Sequence, residues 1–371
     1  MFEKTKALCQ SFLEMGVPGF DLAVYKDGQC ILRHMGGYSD IEKQTPICGN
    51  EKYHIFSCSK PITVTAAMQL WEKGLFQLDD ELSKYMPEFA HMTVKTEDGI
   101  VPATEPIRIR NLFTMTAGFS YALRSPQLVR MREETNGICR TRDVARYLAK
   151  EPLVFQPGDQ YNYSLCHDVL AAFVEVISGQ LFADYVQEHI FKPLGMENSH
   201  FLLPMERLSE VSTLHTFNAE TGKAEVRGMH GFRMGTEHAS GGAGCVSSVE
   251  DYIKFAEALR TGEKLLKRST IALMTQNHLT PHQKSTYSRT THGYGLGMRS
   301  LLEGQTRTDY GWGGAAGALL AIDEVNGISL YYSQHLLNSP NQGMREKVYT
   351  SVLEDLGITA THTTTDSKLT Y

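Results

Sequence analysis

The stretch Phe56-Ser57-Cys58-Ser59-Lys60, continued by PITVTAAMQLWEKG to Gly74, decides how this chain is read. Ser57 and Lys60 stand three residues apart, and on a helix that spacing places both side chains on one face. Ile62, Ala66, Met68 and Trp71 fall in helical register and predict a helix over 57–73 that stops before Gly74. Pro61 lies in the first turn, where a missing N–H does little harm. The apolar run YHIF (53–56) leads into the serine, which puts its hydroxyl at the positive end of the helix dipole. An alcohol is a poor nucleophile until a base takes its proton, and an amine buried beside it is pushed toward its neutral form. Ser57-x-x-Lys60 is the only S-x-x-K here, yet about one such motif arises by chance in a chain of this size. A helix-capping serine beside a solvated lysine is the competing reading. Cys58 and Ser59 point to other faces, and a buried thiol that only packs is the commoner fate of such a cysteine.

Outward from this stretch the signals change with position. Residues 3–15 predict a short amphipathic helix with Leu8, Phe12 and Leu13 on one side, and GFDLAVYKDGQCILRHMGGYSD (19–40) predicts a hairpin turning at KDGQ. From there to about residue 285 helices and loops dominate. DVLAAFVEVISGQ (168–180) is apolar nearly all round and so reads as a buried helix. In SSVEDYIKFAEALRTG (247–262), Ser247 and Glu250 have capping-box spacing and Gly262 is the stop. After residue 290, YGLGMRS, GALLAIDE and GISLYYSQHL read as strands, REKVYTSVLEDLG as a closing helix, and THTTTDSKLTY as a polar tail without structure. Strands at both ends imply an α/β lobe built from residues 1–72 and 286–371. A mainly helical lobe, 73–285, is inserted between them, with the active site where the two meet.

Bulk properties narrow the function. The 371 residues are enough for two packed lobes. A net charge of −6 without a long basic run argues against nucleic-acid binding. Nothing approaches 18 consecutive apolar residues, and the N-terminal MFEKTKALCQSFLEMG has no signal-peptide h-region, so a cytoplasmic protein without a membrane span is expected. The seven scattered cysteines, without a C-x-x-C pair, fit reduced thiols. His278 and His282 have i,i+4 spacing, but Pro281 breaks the helix that a zinc pair needs, so no metal and no organic cofactor is expected. GYGLG (293–297) lacks the third glycine of a dinucleotide fingerprint and reads as a closely packed strand. His230, in GMHGFRMG, is a candidate pocket residue or an exposed loop histidine. G-x-S-x-G is absent, which disfavours an α/β-hydrolase elbow.

Several segments, in order, carry a wider resemblance. FSCSKPITVTAAMQLWEKGLFQLDDELSKYMPEF (56–89) resembles the first motif region of the serine β-lactamase and penicillin-binding-protein superfamily. IRIRNLFTMTAGFSY (107–121) resembles the segment that follows in its class C-like branch, and FQPGDQYNYSLCHDVL (155–170) the second motif, with Tyr163-Ser164-Leu165 in the Y-x-N place. SGGAGCVSSVEDYIKF (240–255) resembles the family's glycine-rich stretch before a helix. YGWGGAAGALLAIDE (310–324) resembles the third motif, with Trp312-Gly313-Gly314 in the K-T-G place.

The resemblance implies a β-lactamase/transpeptidase-like α/β fold, an antiparallel sheet flanked by helices with the inserted helical lobe. It implies that Ser57 attacks a carbonyl to form an acyl-enzyme, that Lys60 and Tyr163 share the proton work, and that backbone N–H groups of Ser57 and Ala315 hold the oxyanion. A tyrosine near a cation approaches phenolate character. Glycines at 313 and 314 let substrate lie against the backbone of that strand. Leu165 and Trp312 depart from the pattern. The family's lysine helps to bind a carboxylate, whereas an indole has no charge and donates one hydrogen bond. YSL with WGG is the pattern of family VIII carboxylesterases, so a carboxylesterase on small neutral esters is the leading expectation. β-Lactam hydrolysis, D-amino-acid peptidase or amidase activity and acyl transfer on the same site are the alternatives. A non-catalytic sensor keeping the fold is the rival of another class. Nothing in the sequence reveals the oligomeric state.

Overall fold

A computed structural model describes residues 1–228, 231–262, 264–289, 291–302 and 308–359. The expected polar tail at 361–371 and His230 lie outside the described residues. The chain opens with helix α1 (Glu3–Glu14) and strands β1 (Gly19–Lys26), β2 (Gln29–Asp40) and β3 (Thr45–Pro46). A short strand β4 (Lys52–His54) leads through a 3-10 turn (Phe56–Cys58) into α2 (Ser59–Glu72). Further on come α3 (Cys166–Ser178), β5 (Val246–Ser248) and α4 (Val249–Thr261), then β6 (Asp309–Tyr310), β7 (Leu319–Asp323), β8 (Ile328–Ser333) and α5 (Lys347–Asp355).

One sheet joins the two ends of the chain in the order β6-β7-β8-β1-β2-β3, with every pairing antiparallel. The link between the ends is the β1–β8 ladder, where Leu22 faces Tyr332 and Val24 faces Leu330. Side chains alternate across a strand, and here both faces are apolar. Leu22, Val24, Leu319, Ala321, Leu330 and Tyr332 pack with Phe12 of α1 and Val348, Val352 and Leu353 of α5. Ala23, Leu320, Ile322 and Tyr331 join the other core, with Ile253, Phe255 and Tyr252 of α4. A sheet covered on both faces explains why these strands read as nearly continuous apolar runs. It is an antiparallel sheet flanked by helices, as expected.

α4 belongs to the segment expected to be the inserted lobe, yet it packs against β1, β7 and β8. Its N-cap is Ser248, whose side chain accepts from Asp251 N, one residue later than the expected Ser247. Ser247 lies in β5, and its hydroxyl is 2.8 Å from that of Ser199. Two hairpins in the middle segment were not foreseen: Thr93–Thr96 with Gly99–Pro102, and Leu214–Asn218 with Lys223–Gly228. Their outer faces are exposed, so they carry little of the apolar alternation that marks a half-buried strand. α3 is buried over Cys166–Val174, packs on α2 and ends at Gly179 in the left-handed conformation. No single helix among the described residues is long and apolar enough to cross a membrane.

Candidate active site

Ser57 does not begin the α-helix itself. It sits in the 3-10 turn just before α2, after Phe56, which holds a positive φ of 46°. A bulky residue in that region costs about 1–3 kcal/mol, so the surrounding contacts must hold it there. They are short. Ile55 N donates to Cys245 O at 3.0 Å, Ser59 Oγ donates to Phe56 O at 2.6 Å, and Cys245 N donates to Ser59 Oγ at 3.0 Å. Tyr252 of α4 donates to Cys58 O at 2.6 Å. The turn carrying Ser57 is thereby tied to the glycine-rich loop 240–245 and to the helix on the sheet.

Two side chains converge on Ser57 Oγ. The Tyr163 hydroxyl is 2.7 Å away and Lys60 Nζ donates to it from 3.2 Å. Lys60 is fully buried, Ser57 is 4% exposed, and Nζ also donates to Gly242 O at 2.7 Å. The Tyr163 ring stacks on Tyr121 and on Trp312, at centroid distances of 5.6 and 5.9 Å, and Lys60 Nζ lies 4.5 Å from its centre. Burial pushes the Tyr163 phenol above its ordinary value, and the Ser57 contact and the neighbouring Trp312 indole pull it back only in part. Burial thus opposes the expected phenolate character, which the Lys60 charge under the ring favours. Cys58 faces the core, and burial pushes its thiol up to about 12, which removes it as a nucleophile at neutral pH.

The third-motif segment closes the site. Gly314 N donates to Ala318 O at 2.8 Å and Leu320 N to Trp312 O at 2.8 Å, while the Ala315 N–H has no acceptor among the described residues. A Cβ at Gly314 would stand 2.4 Å from Ile55 O, so glycine is what lets this segment lie against the chain entering the serine turn. Trp312 is buried, and its indole N–H has no hydrogen-bond partner among the described residues. A cation does stand close to position 312: the Arg289 guanidinium lies 5.3 Å over the indole ring and pairs with Glu346 at 2.7 Å. Leu165, in the place of the Y-x-N asparagine, is core.

The sequence reading missed a buried polar group behind Lys60. Asp168, five residues after Tyr163 at the start of α3, accepts from Ser240 Oγ at 2.6 Å. His238 Nε2 lies 3.3 Å from the same carboxylate oxygen. A carboxylate opening a mostly apolar helix was the available sign, and it reads equally well as an ordinary first-turn acid.

Comparison with known proteins agrees with this geometry. The model of the family described as Beta-lactamase matches residues 6–356. This chain belongs to that family. Among its relatives, a lovastatin esterase of Penicillium rubens is 30% identical over 288 residues, covering 74% of this chain and 71% of the esterase. An uncharacterised protein of Mycobacterium tuberculosis is 28% identical over 265 residues, and the match spans 65% of that protein's length. Among solved structures, EstCE1, a hydrolase with promiscuous acyltransferase activity, superposes with a TM-score of 0.80 at 26% identity, over 94% of this chain and 97% of its own. The D-amino acid amidase of Ochrobactrum anthropi shares the fold, with a TM-score of 0.70 at 18% identity, over 95% of this chain and 97% of its own.

Proposed function

We propose that this member of the beta-lactamase family is a serine hydrolase working through an acyl-enzyme, and that its substrates are small neutral esters. One observation carries the reading: a buried serine hydroxyl within hydrogen-bonding reach of both a buried lysine and a tyrosine. Ser57 Oγ attacks the ester carbonyl as its proton passes to the Tyr163–Lys60 pair. The oxyanion is held by the N–H groups of Ser57 and Ala315, donors whose direction is fixed before the reaction begins. Collapse breaks the C–O bond, the departing alcohol takes the proton back, and water then releases the acid by the same steps.

The apolar wall formed by Trp312, Tyr163 and Tyr121 supports a neutral acyl or alcohol group, as in the YSL and WGG pattern of family VIII carboxylesterases. We also propose that the site lies between a lobe made of 1–72 with 286–371 and a middle lobe, amended by α4, which covers the sheet. Seven free cysteines support a reducing, cytoplasmic setting. The test is kcat/KM for p-nitrophenyl butyrate, nitrocefin and D-phenylalanine amide. Highest turnover of the ester is expected. Preference for nitrocefin would replace this reading with a β-lactamase, and preference for the amide with an amidase.

A further inference from the structure

Lys60 is fully buried, and a buried ammonium needs a counter-charge or it loses its proton. Nζ donates to Ser57 Oγ and to Gly242 O. Asp168 stands on the far side of Gly242: a Cβ built there would lie 2.8 Å from Asp168 Oδ2 and 3.6 Å from Lys60 Nζ. Because residue 242 has no side chain, the carboxylate and the ammonium face each other across one backbone unit.

The carboxylate is itself set in place. Oδ1 takes the Ser240 hydroxyl at 2.6 Å and faces His238 Nε2 at 3.3 Å. His238 Nδ1 accepts from Met234 N at 3.1 Å, which assigns the ring proton to Nε2, the atom turned to Asp168. Oδ2, on the Gly242 side, accepts no hydrogen bond among the described residues. Burial by itself would raise the Asp168 carboxyl, but the His238 ring, the Ser240 hydroxyl and the Lys60 charge together bring it below its usual value.

We propose that Asp168, held by His238 and Ser240, is the positioning residue that keeps Lys60 an ammonium through the catalytic cycle. This rests on the acyl-enzyme reading above and deepens it. Lys60 then acts as a fixed positive charge under the Tyr163 ring. It favours the phenolate, which takes the Ser57 proton as the bond to the carbonyl carbon forms and gives that proton to the leaving alkoxide on collapse. Other titratable groups that interact with Lys60 are Tyr163 and Tyr121, whose rings lie 4.5 and 5.9 Å from Nζ, His167 and Cys166 on α3, and Cys58 on its own turn. Burial lowers His167 to about 3 and raises Cys58 to about 12 and Cys166 to about 11, so none of these three changes charge between pH 5 and 10.

The experiment has two arms. In the first, the pH dependence of p-nitrophenyl butyrate hydrolysis is measured for the unmodified protein and for Asp168→Asn. Without the carboxylate the ammonium gives up its proton more easily. The alkaline limb should therefore move to lower pH by about one unit or more, and kcat should fall by about tenfold or more with KM within about threefold. In the second, melting temperatures are compared for Lys60→Met, Asp168→Asn and the double variant. Each single change strands a buried charge, so the double variant should melt higher than the sum of the two losses implies. An unmoved alkaline limb, or additive melting losses, overturns the proposal. Ser57→Ala is assayed in parallel: if it keeps turnover, the acyl-enzyme reading fails, an outcome separate from the melting comparison, which needs no activity.

Discussion

Tyr163 Oη and Ser57 Oγ stand 2.7 Å apart although 106 residues separate them in the chain. The packing of α3 on α2 brings them together, and the stacking of Tyr163 on Tyr121 and Trp312 fixes the direction of the phenol. A hydroxyl pair this close, over a buried lysine, makes the three side chains one unit rather than three separate contributions.

Replacing the proposed nucleophile tests the unit's centre. Ser57→Ala should lose about three orders of magnitude or more in kcat on p-nitrophenyl butyrate. The side chain is small and its neighbours keep one another, so the melting temperature should barely move. Near-full esterase activity in this variant would leave the mechanism without its nucleophile.

The unit also predicts losses that do not add. Lys60→Ala, Tyr163→Phe and the double variant should be inactive to a similar degree, because removing either disables the same proton-transfer unit. Steady-state rates check this. A double-variant defect equal to the product of the single defects would mean independent roles.

Substrate choice should follow Trp312. The unmodified protein should prefer p-nitrophenyl butyrate to nitrocefin by about 100-fold or more in kcat/KM, since an unpaired carboxylate brought against an apolar wall is penalised. Trp312→Lys should narrow that gap. It should not invert it, because the Arg289 guanidinium now over the indole would repel an ammonium in its place. A gap that stays the same or widens in Trp312→Lys would show that position 312 does not set the choice.

Stability should fall with acid because several buried histidines are neutral in the fold. Burial lowers His335 well below its ordinary 6.5, lowers His167 to about 3, and lowers His200 and His215 as well. Folded-state values depressed in this way mean that the unfolded chain binds more protons below pH 6.5. Stability is thus complete above 6.5 and is lost as pH falls toward the folded values, to about 3 for His167. The two fully buried histidines, His335 and His167, each contribute a slope of about 1.4 kcal/mol per pH unit in their windows. Thermal melts at pH 7.5, 6.5, 5.5 and 4.5 should show a falling midpoint below 6.5; a flat or rising midpoint would contradict the burial of these rings.

What the sequence made legible follows from how local each signal is. The α2 register, the 19–40 hairpin, the apolar strands after 317 and the buried α3 are written in short-range periodicity, and the structure has them. The association of Ser57, Lys60 and Tyr163 came from the order of the motif segments, because no local pattern links residue 60 to residue 163. The hairpins at 93–102 and 214–228 were missed because exposed strands lack alternation. The α4 cap was placed one residue early because two adjacent serines carry the same signal and only pairing in β5 separates them. Asp168 was missed because its meaning depends on Gly242, His238 and Ser240, which reach it only through the tertiary fold.

The most direct measurement of the central claim is intact-protein and peptide mass spectrometry after treatment with a fluorophosphonate, and after rapid quenching with p-nitrophenyl butyrate. The account predicts one adduct per chain, mapped to Ser57, that appears with both reagents and is absent from Ser57→Ala. An adduct on Cys58 or on any other residue, or turnover of the ester without a covalent species on Ser57 under either reagent, would contradict it.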